Sequence, residues 1–174
     1  MRGHAGPDCA AILKMHSRAL ELIGALRLSP HPEGGYYRET WRSPARVSWP
    51  GLPERSALTT IYFLLAAGGF SAWHRVTSDE VWNWHEGDAL ELLLAPEDCS
   101  RVVRHRLGRV GDTCEPAITV PAGWWQAARP LGEYALCGCA VAPGFDFADF
   151  SFLRDQPAAR DALERVAPDL VVLL

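Results

Sequence analysis

Alternating apolar and polar positions dominate the middle of the chain and predict a series of short β-strands. Residues 58–65 and Tyr134–Ala142 are the longest of nine such runs, which Gly, Pro and Asp turns separate. Only residues 17–26 and Pro157–Val166 show helical spacing. The pattern therefore predicts an all-β antiparallel sandwich or barrel with a short helix near each end.

We expect one domain over residues 16–174, because no repeat, low-complexity segment or internal linker interrupts the pattern. A length of 174 residues is large enough for a substantial core. Residues 1–15 carry no clear pattern, so we expect a flexible N-terminal extension there. Residues 43–55 contain three prolines and are predicted to form a loop.

Composition narrows the functional class. The formal net charge of −4 and the absence of a basic stripe argue against a nucleic-acid partner. No apolar run reaches the roughly 18 residues of a membrane span. The five cysteines are odd in number and fit no zinc motif, so we expect them to be reduced, in a cytoplasmic protein.

Candidate chemistry centres on His74 and Glu80, which lie six residues apart on two consecutive predicted strands. Side chains on such strands can face one interior, where histidine and carboxylate suit a metal or a proton-transfer site. Trp82 and Trp84 share the parity of Glu80 and are expected to line the same face. His85 falls on the opposite face unless a bulge turns it.

These residues resemble the first motif of the cupin superfamily, in which His74, Glu80 and Gly87 fall at matching positions. A second cupin motif is matched at 121–126, but Gln126 stands where a histidine is expected. Val76 replaces another expected histidine.

A narrower resemblance links five segments to a small cupin family of bacterial and fungal proteins without an assigned reaction. The segments are residues 31–40, 74–76, 79–82, 121–126 and 141–147. That family is similar in fold to the sugar-nucleotide 3,5-epimerases, which work without metal. The resemblance implies a double-stranded β-helix, or jelly-roll barrel, with a ligand cavity, and a homodimer.

The first hypothesis is a small-molecule-binding cupin that acts as an isomerase or epimerase on a polar or carbohydrate-like ligand. His74 and Glu80 would act in catalysis, with Tyr62 or Tyr36 as the acid. Further candidate ligand-binding residues are Trp82, Trp84, His85, Gln126, Arg38 and Tyr36.

Two alternatives stay open, and the sequence does not decide whether the protein is an enzyme. One is a metal-dependent oxidoreductase or lyase, in which His74, Glu80 and Gln126 hold a divalent metal weakly. The other is a non-catalytic ligand-binding or storage-like module, which the two missing histidines support.

Overall fold

The fold is described from a computed structural model. It describes residues 15–49, 52–111 and 113–174, without the side chains of Trp49 and Leu52. The flexible extension expected for residues 1–15 lies outside the described residues, apart from Met15.

Short strands make up most of the described chain, with one α-helix near each end. Helix α1 spans Ser17–Ala25, and helix α2 spans Pro157–Val166. The strands are β1 (Ser29–Pro30), β2 (Tyr36–Arg42), β3 (Arg46–Trp49), β4 (Leu52–Ser56), β5 (Thr59–Ala66), β6 (Ser71–Arg75), β7 (Asp79–Gly87), β8 (Leu90–Ala95), β9 (Val103–Leu107), β10 (Ala117–Val120), β11 (Trp125–Pro130), β12 (Tyr134–Ala142) and β13 (Ser151–Phe152).

Two antiparallel sheets form the barrel. The larger sheet has the order β1-β2-β5-β12-β7-β10, and the smaller has the order β13-β6-β11-β8-β9. Consecutive strands such as β6 and β7 therefore lie in different sheets, as in a jelly roll. The predicted all-β class with a short helix near each end is confirmed.

The interior between the sheets is filled by residues of alternate parity from both. Phe63, Trp82, Leu92 and Cys137 belong to this core and are almost fully buried. A second cluster covers the outer face of the smaller sheet, where α2 and the C-terminal 3₁₀ helix Pro168–Leu173 pack. Helix α1 packs on the outer face of the larger sheet.

The structure corrects one local expectation. Residues 43–55 contain β3 and most of β4, which pair as a hairpin where a loop was predicted. Pro53 lies within β4, and a short two-stranded ladder tolerates a proline at an edge position. The N-cap of α1 is His16, whose Nδ1 accepts a hydrogen bond from the Arg18 amide at 3.2 Å.

The four described cysteines are free thiols, as expected, and Cys9 lies outside the described residues. None of the helices among the described residues has the length and apolar content that a membrane crossing needs.

Candidate functional site

A tight turn before β2 brings the side chains of His31 and Glu33 into the barrel. The His31 amide donates to the Gly35 carbonyl at 3.0 Å, and the amide of Gly34, which has φ 110°, donates to the His31 carbonyl at 3.0 Å. A Cβ on Gly34 would lie 2.0 Å from the Phe70 carbonyl oxygen, so only glycine fits. The Glu33 carbonyl then accepts the Ala72 amide at 2.8 Å, which fastens the turn to β6.

Glu33 and His74 form a buried pair in close contact. His74 Nε2 lies 3.2 Å from Glu33 Oε2, and the two side chains are 3% and 8% exposed. Ser71 donates its hydroxyl to Glu33 Oε1 at 2.9 Å. His74 Nδ1 lies 2.7 Å from the Ala72 carbonyl oxygen, which can only accept, so Nδ1 carries a hydrogen.

Burial keeps the members of this cluster near neutrality. Desolvation raises the pKa of Glu33 to about 8, although the Ser71 hydroxyl opposes the shift. Desolvation lowers the pKa of His74. The pKa of His31 falls to about 4, first because of burial and second because His74 is close.

His31 is a neutral imidazole with a defined tautomer. Its Nδ1 accepts the Glu33 amide at 3.3 Å, so the ring hydrogen sits on Nε2. The 3.5 Å approach of Glu33 Oε2 to the same Nδ1 is therefore not an ion pair. The ring is held edge-on against Tyr37, with centroids 4.5 Å apart.

Glu80 is the second buried carboxyl, and an amide holds it. Gln126 donates its Nε2 hydrogen to Glu80 Oε2 at 2.7 Å. Trp82 donates its indole N–H to Gln126 Oε1 at 2.9 Å, and because an indole can only donate, the amide orientation is fixed. Desolvation raises the pKa of Glu80, against the attraction of His74.

These groups meet in a cavity of about 450 Å³ inside the barrel, a size that suits a small molecule. We call His31, Glu33, His74 and Glu80 the polar cluster; all four line the cavity. Aromatic rings form much of the remaining wall: Tyr37, Phe63, Trp82, Phe145, Phe147 and Phe150.

Residues 145–150, called here the aromatic segment, cover the polar cluster. Phe150 stacks on His74 with centroids 5.2 Å apart and an interplanar angle of 16°. Phe147 stacks on His31 at 6.2 Å. The segment is tied to strand β4 by a bidentate pair in which Arg55 donates to Asp149 at 2.8 and 2.9 Å.

The structure brings together four of the predicted site residues, His74, Glu80, Trp82 and Arg38, in the cavity lining. Gln126 is fully buried behind them and holds Glu80 in place. Trp84 shares the interior face as expected, but it packs on the core beyond the cavity and donates its indole N–H to the Asp88 carbonyl at 3.1 Å.

The structure corrects the expectation that Tyr62 or Tyr36 acts on a ligand in the cavity, because their positions along the strands turn both side chains away from it. Tyr62 and Tyr36 point to the outer face of the larger sheet, where they pack on the cluster beneath α1. Their neighbours Phe63 and Tyr37 pair across the strands and line the cavity instead. Tyr37 is therefore the tyrosine placed to act on a ligand.

Two further candidates, His85 and Arg38, have their polar groups outside the cavity. His85 is the extra residue of a bulge in β7, and its exposed ring lies edge-on to Tyr62. Arg38 contributes to the lining, but its guanidinium carbon lies 5.6 Å from the centroid of the Tyr62 ring, on the outer face. Its Nε is buried without a hydrogen-bond partner among the described residues.

Sequence reasoning missed His31 and Glu33, which the structure places beside His74. Their signal was the density of polar residues before the Gly34-Gly35 pair, since a turn that needs two glycines often positions its neighbours for a task. The aromatic segment also lines the cavity.

A metal of the kind cupins hold does not fit these donors. Val76 lines the cavity with no donor atom, and the Gln126 oxygen already accepts the Trp82 indole. His74 has one nitrogen on a carbonyl and the other on Glu33. Among the residues that the structure describes, no three His, Cys, Asp or Glu side chains converge on a possible metal position.

Comparisons with known proteins agree with this fold. A family model described as Cupin superfamily (DUF985) matches residues 20–153. A hypothetical protein from Leishmania major is 34% identical, covers 89% of this chain and 95% of its own, and superposes with a TM-score of 0.76. A protein from Shewanella oneidensis is 31% identical, with coverages of 88% and 92% and a TM-score of 0.73.

More distant similarities extend the comparison. An uncharacterized protein from Saccharomyces cerevisiae is 26% identical over 78% of this chain and 75% of its own length. Oxalate decarboxylase from Bacillus subtilis shares the fold at 20% identity and a TM-score of 0.54, over 83% of this chain and 36% of that one. Because the fold is a jelly-roll barrel and the family model matches residues 20–153, the chain belongs to the cupin superfamily, in the family described as DUF985.

Proposed function

We propose that this cupin binds a small polar organic molecule in its barrel and transfers a proton on it, as an isomerase or epimerase does. The observation that carries the proposal is the buried pair of Glu33 and His74 at 3.2 Å in an aromatic-walled cavity. Paired ionisable groups with shifted pKa values in a cavity are typical of acid–base sites.

The pair shares one proton between His74 Nε2 and Glu33 Oε2. Because His74 Nδ1 donates to the Ala72 carbonyl, the neutral ring presents a lone pair at Nε2, which accepts the Glu33 hydrogen. A Glu33 pKa of about 8 keeps that hydrogen in place near neutral pH, while leaving it easy to move. Such a pKa is well suited to general acid–base catalysis.

Epimerisation needs a second proton-carrying group on the other side of the ligand. Glu80 lines the same cavity from strand β7, held by Gln126, and Tyr37 lines it from β2. In this proposal Glu33 with His74 removes or returns one proton, and Glu80 or Tyr37 serves the other face. This assignment replaces Tyr62, whose ring is outside the cavity.

Hydrogen exchange from solvent tests the proposal without a known substrate. The protein is incubated in D₂O with a panel of ketoses, aldoses and amino sugars, and deuterium incorporation at carbon is followed by NMR. We expect exchange on at least one compound, reduced by about 10²-fold or more in His74→Asn and Glu33→Gln.

Two matched substitutions outside the cavity serve as controls for that experiment. His85→Asn and Glu133→Gln remove an exposed imidazole and an exposed carboxylate, and both should exchange at the wild-type rate. Exchange that survives the loss of His74 would contradict the proposal.

A non-catalytic ligand-binding module is the second candidate. It is favoured by the occupation of both His74 nitrogens within the protein. In that case no panel compound exchanges, although the polar cluster still determines affinity. The homodimer, the cytoplasmic location and the absence of a nucleic-acid partner stay predictions.

A further inference from the structure

Charge is distributed unevenly along the cavity. Its inner part holds two carboxyls, Glu33 and Glu80, which are 8% and 7% exposed. Its outer rim carries exposed groups of both signs, and there Arg42 is neutralised by Glu39 through bonds of 2.6 and 3.1 Å. We infer that the cavity takes an organic cation, whose ammonium group lies at the polar cluster.

The inner carboxyls have neutral partners only. Glu33 contacts the Ser71 hydroxyl and the neutral imidazoles, and Glu80 accepts from the Gln126 amide. Burial of a carboxylate without a positive partner is costly, so the protonated acids are favoured when no cation is bound. A cationic ligand supplies the missing partner and makes the ionised carboxylates favourable.

Among the described residues, no arginine that lines the cavity pairs with Glu33 or Glu80. Arg27 and Arg42 are exposed at the rim, and the Arg38 guanidinium lies over Tyr62 on the outer face. An anionic ligand would find no positive partner at the polar cluster to offset the cost of its own desolvation.

The aromatic wall adds a second reason. Six aromatic side chains line the cavity, including Trp82 and the three phenylalanines of the aromatic segment. Aromatic faces attract alkylammonium groups, and the attraction grows when the cation is desolvated. Carboxyls inside a ring of aromatic side chains therefore select an ammonium over a neutral group of equal shape.

Three isosteres separate charge from shape. Choline, 3,3-dimethylbutan-1-ol and 3,3-dimethylbutanoate are cationic, neutral and anionic compounds of similar size. Titration calorimetry at pH 7.5 on protein treated with EDTA should give choline about tenfold tighter binding than the alcohol, and no binding of the carboxylate. Equal affinity for choline and the alcohol, or no binding of choline, would overturn the inference.

Single substitutions test whether the two inner carboxyls cause the preference for choline over the alcohol. Glu80→Gln and Glu33→Gln, measured separately in case one fails to fold, should each reduce the preference for choline to about threefold or less. Glu133→Gln is exposed and should keep the full preference.

The inference rests on the proposed function because both use the same cavity, but the two fail differently. Binding of the alcohol as tightly as choline refutes a cationic ligand and leaves proton transfer intact. Absence of deuterium exchange refutes proton transfer and leaves the choline preference intact.

Discussion

The buried Glu33 makes the stability of the fold fall as pH rises above neutrality. In the folded state the pKa of Glu33 is about 8, whereas in the unfolded chain it returns to the ordinary value of 4.5. Between these values the folded protein binds one more proton than the unfolded chain at this site. The contribution of Glu33 to stability therefore decreases with rising pH across that window and levels off above pH 8.

The histidines limit where this decrease is visible. The pKa of His31 is about 4 when folded and 6.5 when unfolded, and the pKa of His74 is also lowered. Below pH 6.5 the unfolded chain gains protons at both rings, so stability rises with pH and offsets the Glu33 contribution. From pH 6.5 to 8.5 Glu33 dominates, and the loss amounts to about 2 kcal/mol, at about 1.4 kcal/mol for each pH unit.

Urea unfolding at pH 6.5, 7.5 and 8.5 measures this dependence. We expect the free energy of unfolding to fall over the series in wild type, and most of the fall to disappear in Glu33→Gln. Glu80 has a raised pKa as well and leaves a smaller slope of the same sign. A wild-type profile that is flat or rising, or an equal slope in Glu33→Gln, would refute the reasoning; Glu133→Gln should match wild type.

Gln126 stands where the second cupin motif has a histidine, and its contacts lead to two further predictions. Gln126→Leu leaves the Trp82 indole and the Glu80 carboxyl without their partners, so the free energy of unfolding should fall by about 2–4 kcal/mol. The double variant with Trp82→Phe should lose about 1 kcal/mol less than the sum of the two single losses, and additive losses in urea titrations would argue against the shared bond. The double variant Val76→His with Gln126→His should create a donor set of three histidines and one glutamate. Elemental analysis should then find about one Zn²⁺ or Mn²⁺ per chain. Wild type should hold less than about a tenth of that amount, and stoichiometric metal in wild type would refute our assignment of Gln126.

Local patterning was enough to predict most of the barrel. Alternation in residues 58–65 and 134–142 predicts strands, and the structure places β5 and β12 there as partners. The β3–β4 hairpin was not predictable in the same way. Its segment is rich in proline and charged residues, and this composition does not indicate the short ladder that the two strands form.

The candidate site was only partly predictable, because its parts come from distant segments. His74 and Glu80 lie within one motif, whereas Glu33 reaches His74 from a turn some forty residues earlier along the chain. Parity within β5 separates Tyr62 from Phe63, but only the pairing of the sheet decides which of the two faces inward. Contacts of this kind depend on tertiary packing and leave no periodic signal in the sequence.

The cavity draws its acid–base groups and its aromatic cover from separate stretches of the chain. The turn at residues 31–35 and strand β6 carry Glu33 and His74, while Phe145, Phe147 and Phe150 come from one short segment fastened by Arg55 and Asp149. Replacement of the six residues 145–150 can thus change which ligand is preferred while Glu33 and His74 stay unchanged. For protein engineering, this makes 145–150 a cassette through which new molecules can be admitted to an unchanged proton-handling centre.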